Sequence, residues 1–127
     1  KKKFDDCIML DLNGYVAEST ACNIFWIKKG KVFTPKTHSI LNGITRRAVI
    51  KITKKNKINL IEGNYRINDI LSAESVFLTG TAAEIQQVNR IKNKRIRTDS
   101  LILNTILSDF REIIKKNFKN LNQISKT

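Results

Sequence analysis

Short apolar runs, each stopped by a turn-forming residue, set the main constraint on how this chain can fold. Residues 7–11 run into Asn13-Gly14, residues 23–27 into Lys29-Gly30, residues 31–34 into Pro35, and residues 75–79 into Gly80. Runs of this length suit strands and are too short for helices, and Asn-Gly is the strongest two-residue hairpin signal. Residues 15–18 then read as the strand returning from that turn. Further strands are expected over 59–61 and 84–88, a short helical turn over 68–71, and a small hairpin turning at Asn93-Lys94. Two stretches break the rhythm. Gly43-Ile44-Thr45 opens a helix of about a dozen residues, with Ala48, Val49 and Ile52 at helical spacing and Thr45 placed to cap it. After Asp99, a second capping candidate, Ile102, Ile106, Phe110, Ile113 and Ile114 form another apolar stripe, up to a frayed, Lys/Asn-rich terminus beyond Phe118. The pattern is a mostly β core with helices outside it, an α/β or α+β domain.

With 127 residues, 41% of them hydrophobic, the chain is one domain or a piece of one and can bury a real core. No apolar run approaches the ~20 residues of a membrane-spanning helix, and no signal-peptide pattern opens the chain. The first residue is Lys1 in a polar stretch, which reads as a cut inside a longer protein. Cys7 and Cys22 have neither metal-ligand spacing nor the pattern of a disulfide framework. They fit a reducing, cytoplasmic setting as small, partly buried apolar residues.

The formal charge of +13 raises nucleic-acid binding as a rival function from another class. Against it, the basic residues are scattered through turns and helices, and no aromatics interleave with them as a base-stacking platform requires. Ile and Asn are abundant beside Lys, a mark of A- and T-rich coding, so the charge reads as a solvated face. His38 is the only histidine, so neither a histidine metal pair nor a Ser/His/Asp arrangement is supported. The exposed Lys1-Lys2-Lys3 run does not suit a nucleophile of lowered pKa.

Three blocks carry chemistry. Glu18 follows Val16 and Ala17 at a strand end, with Ser19, Thr20 and Asn23 available to brace the turn after it. It is either an exposed carboxylate, as most glutamates are, or the partner of a cationic ring nitrogen. Leu41-Asn42-Gly43-Ile44-Thr45-Arg46 puts bare N–H groups and a hydroxyl at a helix start, which is either ordinary capping or a phosphate cup. Thr79-Gly80-Thr81-Ala82-Ala83-Glu84 exposes amides at a strand end, which is either a tight turn or a grip for a phosphate or carboxylate oxygen.

In this order and spacing the blocks resemble the class IV pyridoxal-phosphate aminotransferases, most of all the branched-chain amino acid aminotransferases. The resemblance runs from about Phe4 to Val88, carried by DDCIMLDLNGYVAEST, NIFWIKKGKVFTP, SILNGITRRAVI and VFLTGTAAEIQQV, with a weaker match in the terminal helix. It implies the C-terminal, larger-domain portion of that fold, a β pseudo-barrel with helices packed outside, over residues 1–127. It also implies pyridoxal 5'-phosphate as cofactor, with Glu18 on the pyridine nitrogen and Leu41 against the ring. Gly43, Ile44, Thr45 and Thr81 would hold the phosphate, while Gly80, Thr81 and Ala82 would face the substrate carboxylate. Asn23 would brace the turn after Glu18. The implied substrates are leucine, isoleucine or valine and 2-oxoglutarate, with no nucleic acid or membrane partner and a homo-oligomeric intact enzyme.

Within the class, GTAAE favours the branched-chain branch over D-amino acid aminotransferases and aminodeoxychorismate lyases. The departures are Ser19-Thr20-Ala21-Cys22 in place of a glycine-rich run, Gln86-Gln87 where Thr-Pro is common, and no Gly-Pro before the last helix. The family's cofactor-bonding lysine, together with an arginine, a tyrosine and the small N-terminal domain, is expected upstream of Phe4. The 127-residue chain is therefore expected to be inactive alone.

Overall fold

The computed structural model describes residues 8–19, 22–36, 44–80 and 85–125. Among them run β1 (Ile8–Leu10), β2 (Val16–Ser19), β3 (Cys22–Lys28), β4 (Lys31–Pro35), α1 (Ile44–Lys55), β5 (Leu60–Gly63), α2 (Ile67–Leu71), β6 (Ser75–Gly80), β7 (Ile85–Val88), β8 (Arg90–Ile91), β9 (Lys94–Arg95) and α3 (Leu101–Ser125). Five strands form one sheet in the order β5-β4-β3-β6-β7, while β1-β2 and β8-β9 are separate two-stranded ribbons. Within that sheet only β4 and β5 pair in parallel, and α1 connects them. The mixed α/β class is as expected. The described strands close no barrel, so the expected pseudo-barrel core is matched only loosely, by the sheet and its two ribbons.

Period-two alternation sorts the strand residues onto two faces. Phe25, Ile27, Val32 and Phe77 lie under Val49 and Ile52 of α1 and Leu103, Ile106 and Phe110 of α3. On the other face Ile24, Trp26, Val76 and Leu78 meet Val16 of β2, Ile70 of α2, Ile91 and Ile96. Phe25 and Phe77 are opposite each other in register and stack at 5.0 Å, a pair worth about 0.5–1.5 kcal/mol beyond its burial. Tyr65 stands edge-on to Trp26 at 5.1 Å and to Phe33 at 5.7 Å. Gly63 permits this, because a Cβ there would come within 3.0 Å of the Tyr65 ring.

Local chemistry explains where elements start and stop. Lys29 (φ 52) and Gly30 (φ 75) are both left-handed, as a two-residue turn matched to strand twist requires. Asn13-Gly14 departs from the two-residue hairpin. The Asp11 carboxylate accepts from the Asn13 and Tyr15 amides, and Gly14 (φ 82) sits inside a longer loop between Leu10 and Val16. Arg66 fixes that loop by donating to the Asn13 carbonyl and stacking over Tyr15 at 4.4 Å. The β8–β9 turn falls at Lys92-Asn93, with Lys92 left-handed (φ 53), one residue ahead of the expected Asn93-Lys94.

The helices show similar shifts. Thr45 lies inside the first turn of α1, which begins at Ile44, so it does not cap the helix. For α3 the cap is Ser100, whose Oγ accepts from the Leu103 amide at 3.2 Å; Asp99 instead pairs with Arg97. The helix also continues past Phe118 to Ser125, since Phe118, Leu121 and Ile124 extend the helical spacing. No helix among the described residues is long and apolar enough to cross a membrane.

Candidate functional site

Strand directions bring the blocks to one end of the sheet. Because β4 and β5 are parallel and β3 is antiparallel to both β4 and β6, that end collects Thr34 and Pro35, Glu62 and Gly63, Cys22 and Asn23, and Thr79 and Gly80. The Nη2 of Arg46 lies 3.4 Å from Oε2 of Glu62, which places the first turn of α1 at the same end. Here the helix-covered face changes character. Beyond the Phe25–Phe77 stack its buried residues are Thr34, Thr79, Thr45 and Arg46. Thr34 is satisfied, since its hydroxyl donates to the Ile24 carbonyl at 2.8 Å and ties β4 to β3. The buried Thr79 hydroxyl has no hydrogen-bond partner among the described residues. An unsatisfied buried hydroxyl costs about 1–3 kcal/mol, and such exceptions mark sites where a ligand or water is expected.

The first turn of α1 is electrostatically inverted. Helix N-termini carry positive partial charge and favour acidic residues, yet this turn has no acidic residue and contains Arg46 and Arg47. Each cation at that end costs about 0.3–1 kcal/mol in exposed settings. Arg46 is only 2% exposed, so desolvation adds to the cost. An anion at the helix start would relieve both terms. The Ile44 and Thr45 amides are among those without intrahelical acceptors, and the Thr45 side chain is buried beside them. A buried hydroxyl and the amides of a helix's first turn are donors that a phosphate dianion can use.

Of the residues singled out in the sequence, Ile44, Thr45 and Gly80 lie at this end, Gly80 opposite Cys22 in register. Glu18 pairs with Met9 in the β1–β2 ribbon, four residues ahead of Cys22, so its backbone is within about 14 Å of that strand end. Leu41, Gly43, Thr81 and Ala82 lie outside the described residues, as does Cys7. Cys22 is partly buried against the second core face and Asn23 is half-buried opposite Thr79. Sequence reasoning included Arg46 and Thr79 in its blocks without giving either a role, and missed Glu62. The available signal was two arginines with no acid in a helix's first turn.

The sequence matches the family described as amino-transferase class IV over residues 1–91. The chain belongs to the class IV aminotransferases. Two bacterial relatives are named branched-chain-amino-acid aminotransferases, the first of them provisionally. That of Rickettsia bellii is 35% identical over 115 residues, covering 88% of this chain and 40% of its own. That of Pseudomonas aeruginosa is 37% identical over 92 residues, covering 72% of this chain and 30% of its own. Among class IV structures, the branched-chain aminotransferase of the archaeon Thermoproteus uzoniensis with norvaline superposes with a TM-score of 0.79 at 32% identity, over 87% of this chain and 37% of that one. The chain thus spans about 30–40% of the length of these two curated relatives.

Proposed function

We propose that this chain is the C-terminal, cofactor-holding portion of a branched-chain amino acid aminotransferase. The enzyme would move an amino group between leucine, isoleucine or valine and 2-oxoglutarate. The observation that carries the reading is the anion-seeking end of the sheet, which has an acid-free first turn of α1, buried Thr45 and Arg46, and a Thr79 hydroxyl without a partner among the described residues. The class IV relatives, named for this reaction, support it.

These residues fit pyridoxal 5'-phosphate, which when bound supplies an electron sink for the bonds at the substrate Cα. Glu18 would hold a proton on the pyridine nitrogen and Leu41 would pack on the ring. Gly43, Ile44, Thr45 and Thr81 would bind the phosphate; Gly80, Thr81 and Ala82 would orient the substrate carboxylate. The lysine that bonds the cofactor and abstracts the Cα proton would come from a segment upstream of Phe4. The working enzyme would be a cytoplasmic homo-oligomer, with the basic surface left to solvent.

The test is amino transfer by the full-length protein. Production of glutamate from leucine and 2-oxoglutarate, with none from D-alanine and no pyruvate released from aminodeoxychorismate, is the expected outcome. Activity confined to either rival substrate would reassign the chain within the class. The 127-residue chain alone should show no turnover, and a salt-dependent shift on mixed DNA or RNA at physiological ionic strength would favour the basic-module rival.

A further inference from the structure

We infer that Arg46 is a positioning residue for the cofactor phosphate and that it acts through Glu62; the inference rests on the proposed pyridoxal-phosphate reading. A buried guanidinium in the first turn of a helix needs a negative counterpart nearby. The nearest source would ordinarily be an acidic residue in the helix's own first turn, which would also occupy the free amides. This helix has none there. The carboxylate comes from a different element, Glu62 of β5, at 3.4 Å. Glu62 therefore gives Arg46 a carboxylate partner from outside the helix's own first turn.

The pair also sets where the start of α1 lies. Glu62 is in register with Thr34 of β4, and the Thr34 hydroxyl holds the Ile24 carbonyl of β3. Through these contacts the first turn of α1 is tied to the strand ends that carry the rest of the site. The planar fork of arginine restrains direction as well as distance, which a lysine ammonium would not. Glu62 is 42% exposed on its side chain, so it can be altered without opening the core.

The experiment uses the full-length protein freed of cofactor. Affinities for pyridoxamine 5'-phosphate and for pyridoxamine, which lacks the phosphate, are measured by calorimetry beside the melting temperature of the unliganded protein. Glu62→Gln and Arg46→Met should each weaken the phosphorylated ligand about tenfold and leave pyridoxamine within about twofold. The double variant should be no worse than the poorer single one, the signature of one coupled device. Arg46→Lys should fall between wild type and Arg46→Met. Wild-type affinity in Glu62→Gln would overturn the inference, as would an equal loss of both ligands, which marks a merely structural pair. Wild-type protein with no preference for the phosphorylated ligand would instead overturn the cofactor reading, and the inference with it.

Discussion

Tyr65 shows how one side chain couples burial to pH. Burial first, and then the carboxylate of Asp69, push its phenol above the ordinary value of 10.0. The folded state therefore favours the neutral form. Its contribution is fully present below the unfolded pKa and is lost as pH rises through the folded one. Wild-type protein should lose stability more steeply above about pH 10 than Tyr65→Phe, measured by urea unfolding across that range. Parallel curves for the two proteins would dismiss the effect. Residue identities such as Thr45 and Gly80 could be singled out from the sequence because helix starts and strand ends have local signatures. The burial and pairing of Arg46 could not, since its partner Glu62 stands on β5, an element that the chain reaches only after all of α1. That the Thr79 hydroxyl lacks a partner among the described residues was invisible for a similar reason, because it is a fact about packing.

At the scale of elements, most of the pattern was legible. Two-residue turns, Pro35 and helical spacing located β3, β4, α1, α2 and β6 within a residue or two. Misplacements arose where side chains compete for backbone groups. Asp11 captured two amides and lengthened the first hairpin, and Ser100 took the α3 cap that Asp99 was expected to supply. Ser100→Ala should consequently cost about 1 kcal/mol of stability, read as a fall in melting temperature. Asp99→Ala should cost less. Its carboxyl is held below the usual range by the Arg97 hydrogen bond, but both partners are fully exposed, and such pairs contribute little. If Asp99→Ala proved the more damaging of the two, the cap assignment would be wrong.

For the whole molecule, strand order was the part least readable in advance. Local sequence indicates that residues form strands but not that β3 lies between β4 and β6, a pairing that joins segments some fifty residues apart. The register of Asn23 opposite Thr79 belongs to that distant pairing. Its consequence is kinetic. Long-range closures are expected late in folding, because their loop entropy must be met before their contacts form. The pocket end would then be absent from the rate-limiting barrier. Pyridoxal 5'-phosphate added to the full-length protein should slow unfolding and leave the refolding rate unchanged, in stopped-flow measurements at matched denaturant. Faster refolding with the cofactor present would place the closure early instead. Late closure makes cofactor retention a form of proofreading, since only a chain that has joined strands some fifty residues apart can keep the molecule.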